Sequence, residues 1–297
     1  MSTSTNMNNR ENIALITGAN AGIGLALTKK MLAAQWQVAA VVRSNFPADE
    51  RDIQEAVRRG QLRVYKTADL ADFAGLRRVL EEIKAKERRI DILFNNAGGS
   101  FPELSYSAQG REKHYELMTV APYIILMELK DSLRNSRFKT VINTSSSALK
   151  YTKALSIHSL ERPQTFRKLL GPYAASKLAL SLWTHALAPQ LMADGIRIRS
   201  VDPGGNNTLR KGKKSGLPLV VIPLMKLFFS PPTHGADRLY EGALGEHRTD
   251  TGVFLQKGRV TELKHLDQAR SILERMRDLY EQEYLADAVR NRVGGGD

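Results

Sequence analysis

The chain runs to 297 residues, 42% of them hydrophobic, with a formal charge of +13 and a pI near 9.9. That composition excludes a disordered or fibrous chain, and the absence of cysteine excludes disulfides, zinc–thiolate sites and thiol nucleophiles. The six histidines lack metal-ligand spacing, so no metal is expected, and the basic residues are scattered along the chain, so no specific nucleic-acid partner is expected either.

In chain order, the polar residues 1–10 read as a disordered tail rather than a signal peptide. Short apolar runs follow at 13–17, 37–42, 62–66, 90–95, 140–144 and 196–201. Helix-period segments separate them, at 23–34, 49–59, 73–88, 111–134 and 173–193. Strands alternating with helices predict an α/β fold, a Rossmann-type doubly wound parallel sheet with helices on both faces. One domain is expected over residues 11–260, followed by a C-terminal extension at 261–297. The extension carries a helix at 262–286, with Leu266, Ala269, Leu273, Met276 and Tyr280 on its apolar face, for packing or subunit contact. The longest apolar run, 217–225, is broken by Pro218 and Pro223 and falls short of the ~20 residues of a membrane span. A soluble, cytoplasmic protein is therefore expected.

The first strand enters Thr17-Gly18-Ala19-Asn20-Ala21-Gly22-Ile23-Gly24, which opens a helix. Glycines there let the backbone approach a pyrophosphate, and the helix N-terminus presents free N–H groups to it. The second strand ends in Val42-Arg43-Ser44-Asn45 with no acid before Asp49. An acid at that place would hold a ribose 2′-hydroxyl, whereas Arg43 suits a 2′-phosphate, with Ser44 and Asn45 as helpers. NADP(H) is the predicted cofactor. Further on, Tyr173-Ala174-Ala175-Ser176-Lys177 puts a phenol and an ammonium on one helix face, where the cation would lower the phenol pKa toward neutrality.

These segments resemble the short-chain dehydrogenase/reductase family over about residues 11 to 260. Thr17 to Gly24 matches its Thr-Gly-x-x-x-Gly-x-Gly motif, and Asn95-Asn96-Ala97-Gly98 its Asn-Asn-Ala-Gly signature. The resemblance implies an oxidoreductase that moves a hydride between nicotinamide and a carbonyl or alcohol. It implies Thr17, Gly18, Asn20, Gly22, Ile23, Gly24, Asp69, Leu70, Asn96, Ala97 and Gly98 as cofactor contacts. Tyr173 becomes the acid/base, Lys177 its activator and a further cofactor contact, and Ser146 the residue that polarises the substrate oxygen. Three consecutive serines leave that register open, with Ser145 structural and Ser147 the fallback. Pro203, Gly204, Asn206 and Thr208 resemble the segment beside the nicotinamide, although Asn206 stands where Val or Ile is usual.

One position departs from the family. Four residues before Pro122 the usual asparagine is Met118, which cannot hold the water through which the lysine exchanges protons. Thr119 substitutes, or turnover is slowed, or activity is lost. The segment 208–236, basic then apolar, looks like the substrate flap of the retinol-dehydrogenase-like branch and implies a hydrophobic carbonyl or alcohol. Peripheral membrane contact through the same stretch is the lesser alternative. Residues 148–171 look like an insertion at the pocket rim, in which His158 reads as a loop histidine. The resemblance further implies a homodimer or homotetramer. The alternative function is a catalytically weak NADP(H)-binding sensor or scaffold, which Met118 favours.

Overall fold

The computed structural model describes residues 12–206 and 230–287. The expected Thr208 contact and most of the 208–236 flap lie outside them, as do the tail at 1–10 and residues 288–297. Among the described residues there is one eight-stranded sheet, in the order β3-β2-β1-β4-β5-β6-β7-β8. The strands are β1 Ile13–Thr17, β2 Gln37–Val42, β3 Leu62–Lys66, β4 Ile92–Asn95, β5 Thr140–Thr144, β6 Arg197–Asp202, β7 Phe254–Gln256 and β8 Arg259–Thr261. All pairings are parallel except β7 with β8.

The helices are α1 Gly22–Ala33, α2 Arg51–Arg58, α3 Phe73–Lys86, α4 Lys113–Tyr115, α5 Ala121–Glu128, α6 Lys130–Arg134, α7 Ile157–Glu161, α8 Pro172–Ala193, α9 Pro232–Leu244 and α10 Ala269–Asp278. Both faces of the sheet are covered, which is why its strands are apolar on successive residues rather than alternately. Leu15, Val41 and Val141 pack with α3, α5, α8 and α10 on one face, while Ala14, Ile16 and Ile142 pack with α1, α2 and α9 on the other. The strand order reverses between β1 and β4, so the loops that leave these two strands diverge and open a crevice at their carboxyl ends.

Several boundaries differ from the sequence reading. The fourth strand starts at Ile92, because the Asp91 carboxylate is engaged by the Ile13 and Arg137 amides before the ladder begins. The sixth starts at Arg197, since the Ile196 N–H still bonds the Leu191 carbonyl of α8. The helix expected at 111–134 is broken into α4, a π-helical turn Glu116–Val120, α5 and α6. Pro122 has no N–H to close an α-helical bond onto the Met118 carbonyl, and the Ala121 N–H reaches five residues back to Glu116.

The C-terminal helix is likewise a 3₁₀ turn Leu266–Gln268, then α10, then a π-helical stretch Leu279–Leu285. Leu266, placed on its apolar face by the sequence, is 45% exposed, because the 3₁₀ turn precedes the face that α10 lays on α8. The sequence reading missed α9 and the β7–β8 hairpin. Their signals were Pro231-Pro232 before a helix, and Lys257-Gly258, whose φ angles of 52° and 74° make the two-residue turn.

Candidate active site

The glycine loop folds tightly onto the end of the sheet. Gly18 has φ +67°, and its N–H bonds the Val41 carbonyl at 2.8 Å. A Cβ on Gly24 would stand 2.1 Å from the Gly18 carbonyl oxygen, so no larger residue fits there. Thr17 is the hub of the crevice. Its Oγ1 accepts from the Asn96 and Ala97 amides at 3.0 and 2.9 Å, while Asn96 Nδ2 donates to the Thr17 carbonyl at 3.0 Å. The two predicted cofactor motifs are thus bolted together across β1 and β4.

The N-terminus of α1 carries no side-chain cap and no acid in its first turn. Its leading N–H groups at Gly22, Ile23 and Gly24 remain for an external anion, and the helix dipole favours one there. Asn20 Nδ2 reaches across to the Ser44 carbonyl, its Oγ and the Asn45 carbonyl at 2.7, 2.9 and 3.2 Å. This ties the phosphate loop to the turn that carries the exposed Arg43. A dinucleotide's phosphates therefore fit the residues present.

Asp69 is held by its own loop, accepting from the Ala71 N–H at 3.0 Å, and pairs with Lys113 at 2.9 Å. Leu70 is 6% exposed and belongs to the core, which leaves its backbone rather than its side chain to face a ligand.

Ser146, Tyr173 and Lys177 converge at the ends of β5 and α8. Tyr173 and Lys177 lie one turn apart near the start of α8, which Pro172 opens. Burial pushes the Tyr173 phenol above its ordinary value, outweighing the opposite pull of Ser146. Lys177 Nζ donates to the Thr144 carbonyl at 2.6 Å, and burial lowers its pKa to about 7. Ser145 faces the other way, 2.8 Å from Ser181 Oγ and 1% exposed. The Ser147 fallback opens the 3₁₀ turn Ser147–Tyr151, for which Ser146 is the N-cap.

Met118 lies in the π turn beneath this group. A Cβ built on Gly98 would come within 2.8 Å of its Sδ and 3.6 Å of Lys177 Nζ, so Gly98 borders both side chains. The neighbouring Thr119 is no replacement for the missing asparagine, because its hydroxyl donates to the Ser176 carbonyl at 2.9 Å.

Asn206 Oδ1 accepts from the Gly235 N–H at 2.9 Å, and its Nδ2 donates to the Pro203 and Gly204 carbonyls, each at 2.8 Å. The unusual residue staples the turn after β6 to α9, which a Val or Ile there could not do. His158 is exposed but lies in the short helix α7 rather than in a loop, because Ser156 caps that helix with a capping box to Ser159.

Sequence reasoning missed three buried groups. Glu112 and His114 sit behind Tyr173. Arg111, 5% exposed, joins Glu116 of the π turn to Glu283 of the C-terminal π stretch. The spacing Glu-x-His at the start of the predicted 111–134 helix was the available signal for the first two. Nothing local marks Arg111, whose partner Glu283 is distant in sequence.

A match to the model of the short chain dehydrogenase family covers residues 12–215. Polyprenol dehydrogenase from Danio rerio is 28% identical over 261 residues, covering 84% of this chain and 79% of that protein. Retinol dehydrogenase 14 from Mus musculus is 29% identical over 238 residues, covering 75% and 70%. Among solved structures, NADPH-bound carbonyl reductase from chicken fatty liver superposes with a TM-score of 0.62 at 22% identity, covering 84% of this chain and 98% of that one. A 4-hydroxyisoleucine dehydrogenase complexed with NADH gives 0.61 at 21% identity, covering 82% and 96%. The chain belongs to the short-chain dehydrogenase/reductase family of oxidoreductases, in its retinol-dehydrogenase-like branch.

Proposed function

We propose that the protein is an NADP(H)-dependent oxidoreductase acting on a hydrophobic carbonyl or alcohol. The observation that carries this reading is the grouping of Ser146, Tyr173 and Lys177 where β5 ends and α8 begins, at the carboxyl end of the same sheet whose β1 leads into the uncapped N-terminus of α1. The nicotinamide supplies or accepts the hydride. The chain's own residues handle binding and the proton.

Gly18, Gly22, Ile23 and Gly24 hold the pyrophosphate on the helix terminus, and Thr17, Asn20, Asn96, Ala97 and Gly98 shape the crevice around it. Arg43, flanked by Ser44, meets the 2′-phosphate, and Pro203, Gly204 and Asn206 line the nicotinamide end. Ser146 hydrogen-bonds the substrate oxygen and Tyr173 delivers the proton to it in the direction of reduction. The raised phenol pKa keeps Tyr173 protonated at neutral pH, as a proton donor must be. Lys177 lowers that value when it is charged. Relatives named for retinol and polyprenol support a lipophilic substrate.

A second reading, an NADP(H)-binding sensor of low turnover, is favoured by Met118, which puts a thioether rather than a water-holding amide beside Lys177. NADPH oxidation, followed at its near-ultraviolet absorbance against hydrophobic aldehydes, ketones and quinones, separates the two. The reductase reading expects turnover that Tyr173→Phe abolishes. Turnover that survives that change removes Tyr173 as proton donor. NADPH binding without any turnover establishes the sensor.

A further inference from the structure

Behind Tyr173 lies a histidine that the chemistry above leaves unused. His114 is 1% exposed and Glu112 is 0% exposed. His114 Nδ1 stands 2.6 Å from Glu112 Oε1, and its Nε2 stands 2.9 Å from the Phe101 amide nitrogen. A backbone amide can only donate, so Nε2 carries the lone pair and Nδ1 gives its proton to the carboxylate. The second oxygen of Glu112 accepts from the Tyr115 N–H at 3.0 Å, anchoring the carboxylate at the start of α4. With both nitrogens engaged, the imidazole cannot turn. Its ring meets Tyr173 edge to face, with centroids 6.0 Å apart and planes at 85°, and it packs on Phe101 at 4.6 Å and Phe166 at 6.3 Å.

We propose that the Glu112–His114 pair is the positioning device for Tyr173, holding the phenol ring from behind while fixing the loop that follows Asn-Asn-Ala-Gly. The proposal rests on the reading of Tyr173 as acid/base. One imidazole serves both surfaces: its ring sets the plane of Tyr173, and its Nε2 pins Phe101, three residues past Gly98, whose backbone borders Met118 and Lys177. Packing alone would need only an apolar ring. A fully buried carboxylate beside that ring is unfavourable unless its hydrogen bonds give something back, and here they remove the ring's freedom to flip. Displacing a proton donor by about 1 Å lowers turnover on the order of 100-fold.

Three variants test this, with decanal and NADPH as the assay pair and Tyr173→Phe as the reference. His114→Phe keeps a ring but loses both nitrogens. His114→Gln offers an amide N–H to Glu112 and a carbonyl to Phe101, and Glu112→Gln weakens the anchor. The expected result is a kcat lower by about 10- to 100-fold in His114→Phe, with the KM for decanal and the NADPH Kd within about twofold, and recovery to near wild type in His114→Gln. Glu112→Gln falls between, and covers the case in which His114→Phe does not fold.

An activity-independent measurement runs alongside: the tyrosinate absorbance near 295 nm, taken as the difference between each protein and its Tyr173→Phe counterpart. Loosening the packing behind Tyr173 admits water, so the phenol should titrate lower by about half a pH unit or more in His114→Phe and Glu112→Gln. If Tyr173→Phe retains turnover, the acid/base reading falls and this proposal with it. If Tyr173→Phe is inactive while the pair's variants leave both kcat and the Tyr173 titration unchanged, or if decanal is reduced by no form and the variants leave the titration unchanged, the positioning role alone is overturned.

Discussion

Replacing Gly24 with alanine puts a single methyl group into the tightest point of the cofactor crevice. The new Cβ would stand 2.1 Å from the Gly18 carbonyl oxygen and 2.7 Å from Asn96 Nδ2, against about 3.4 Å for an ordinary contact. The nearest obstacle is backbone, so the loop must retreat by more than 1 Å. That retreat pulls on the 2.8 Å bond from the Gly18 N–H to Val41 and on the 3.0 Å bond from Asn96 to the Thr17 carbonyl. Overpacking together with one weakened buried hydrogen bond costs about 2–4 kcal/mol, equivalent to a fall in Tm of roughly 5–15 °C in a domain of this size.

The same displacement moves the leading N–H groups of α1, so the NADPH Kd should rise at least tenfold, about 1.4 kcal/mol. Gly99→Ala is the matched control, because nothing lies within 4 Å of its added Cβ. That variant should stay within about 0.5 kcal/mol of wild type. Differential scanning fluorimetry and NADPH fluorescence titration read both quantities. A Gly24→Ala protein that melts and binds NADPH as wild type does would refute the account of the crevice as closed by backbone contact.

Arg43→Ala should weaken NADPH binding by at least tenfold while leaving NADH binding within about twofold, measured by parallel fluorescence titrations. Unchanged preference would remove Arg43 as the 2′-phosphate contact. In pH profiles, the raised Tyr173 pKa means the protonated form persists through neutrality. Carbonyl reduction should show a shallow fall near pH 7, where Lys177 loses its proton, and a full fall as pH rises through the Tyr173 pKa, whereas alcohol oxidation, which needs the phenolate, should rise about tenfold per pH unit below it. Arg199, 0% exposed, donates to the Gly242, Ala243, Arg248 and Asp250 carbonyls, and burial lowers its pKa to about 10. Arg199→Met should lower stability by about 3 kcal/mol in urea unfolding, because it strands the carbonyls that end α9. A midpoint equal to wild type would show those carbonyls to be satisfied otherwise.

The sheet was legible because its strands are buried on both faces and read as uninterrupted apolar runs; the first three were bounded correctly to the residue. The glycine loop was legible because a tight turn at that place admits few residues. What escaped was set by distant partners. The interruption of 111–134 follows from Pro122, visible in sequence, but its π-helical form also reflects Arg111 drawing Glu116 toward Glu283. Asn206 looked like a harmless departure, yet its amide does what no aliphatic residue could, bonding Gly235, Pro203 and Gly204 together. His114 looked unremarkable because its significance lies in the Tyr173 and Phe101 contacts that only the folded chain supplies.

The two perturbed groups at the centre of the site pull against each other, and that opposition makes the chemistry conditional. With Lys177 pushed down to about 7 by burial, the ammonium is only partly populated at neutral pH, and Tyr173 is left with its raised, burial-dominated value. A neutral lysine does nothing for the phenol. An anion bound beside Lys177 restores its proton, since an opposite charge nearby favours the charged form, and the restored cation then stabilises the phenolate. Phosphates held at the α1 terminus would contribute such a field, and so would any anionic charge that forms on the substrate oxygen. Under the proposed function, activation of Tyr173 would then be coupled to occupancy of the crevice.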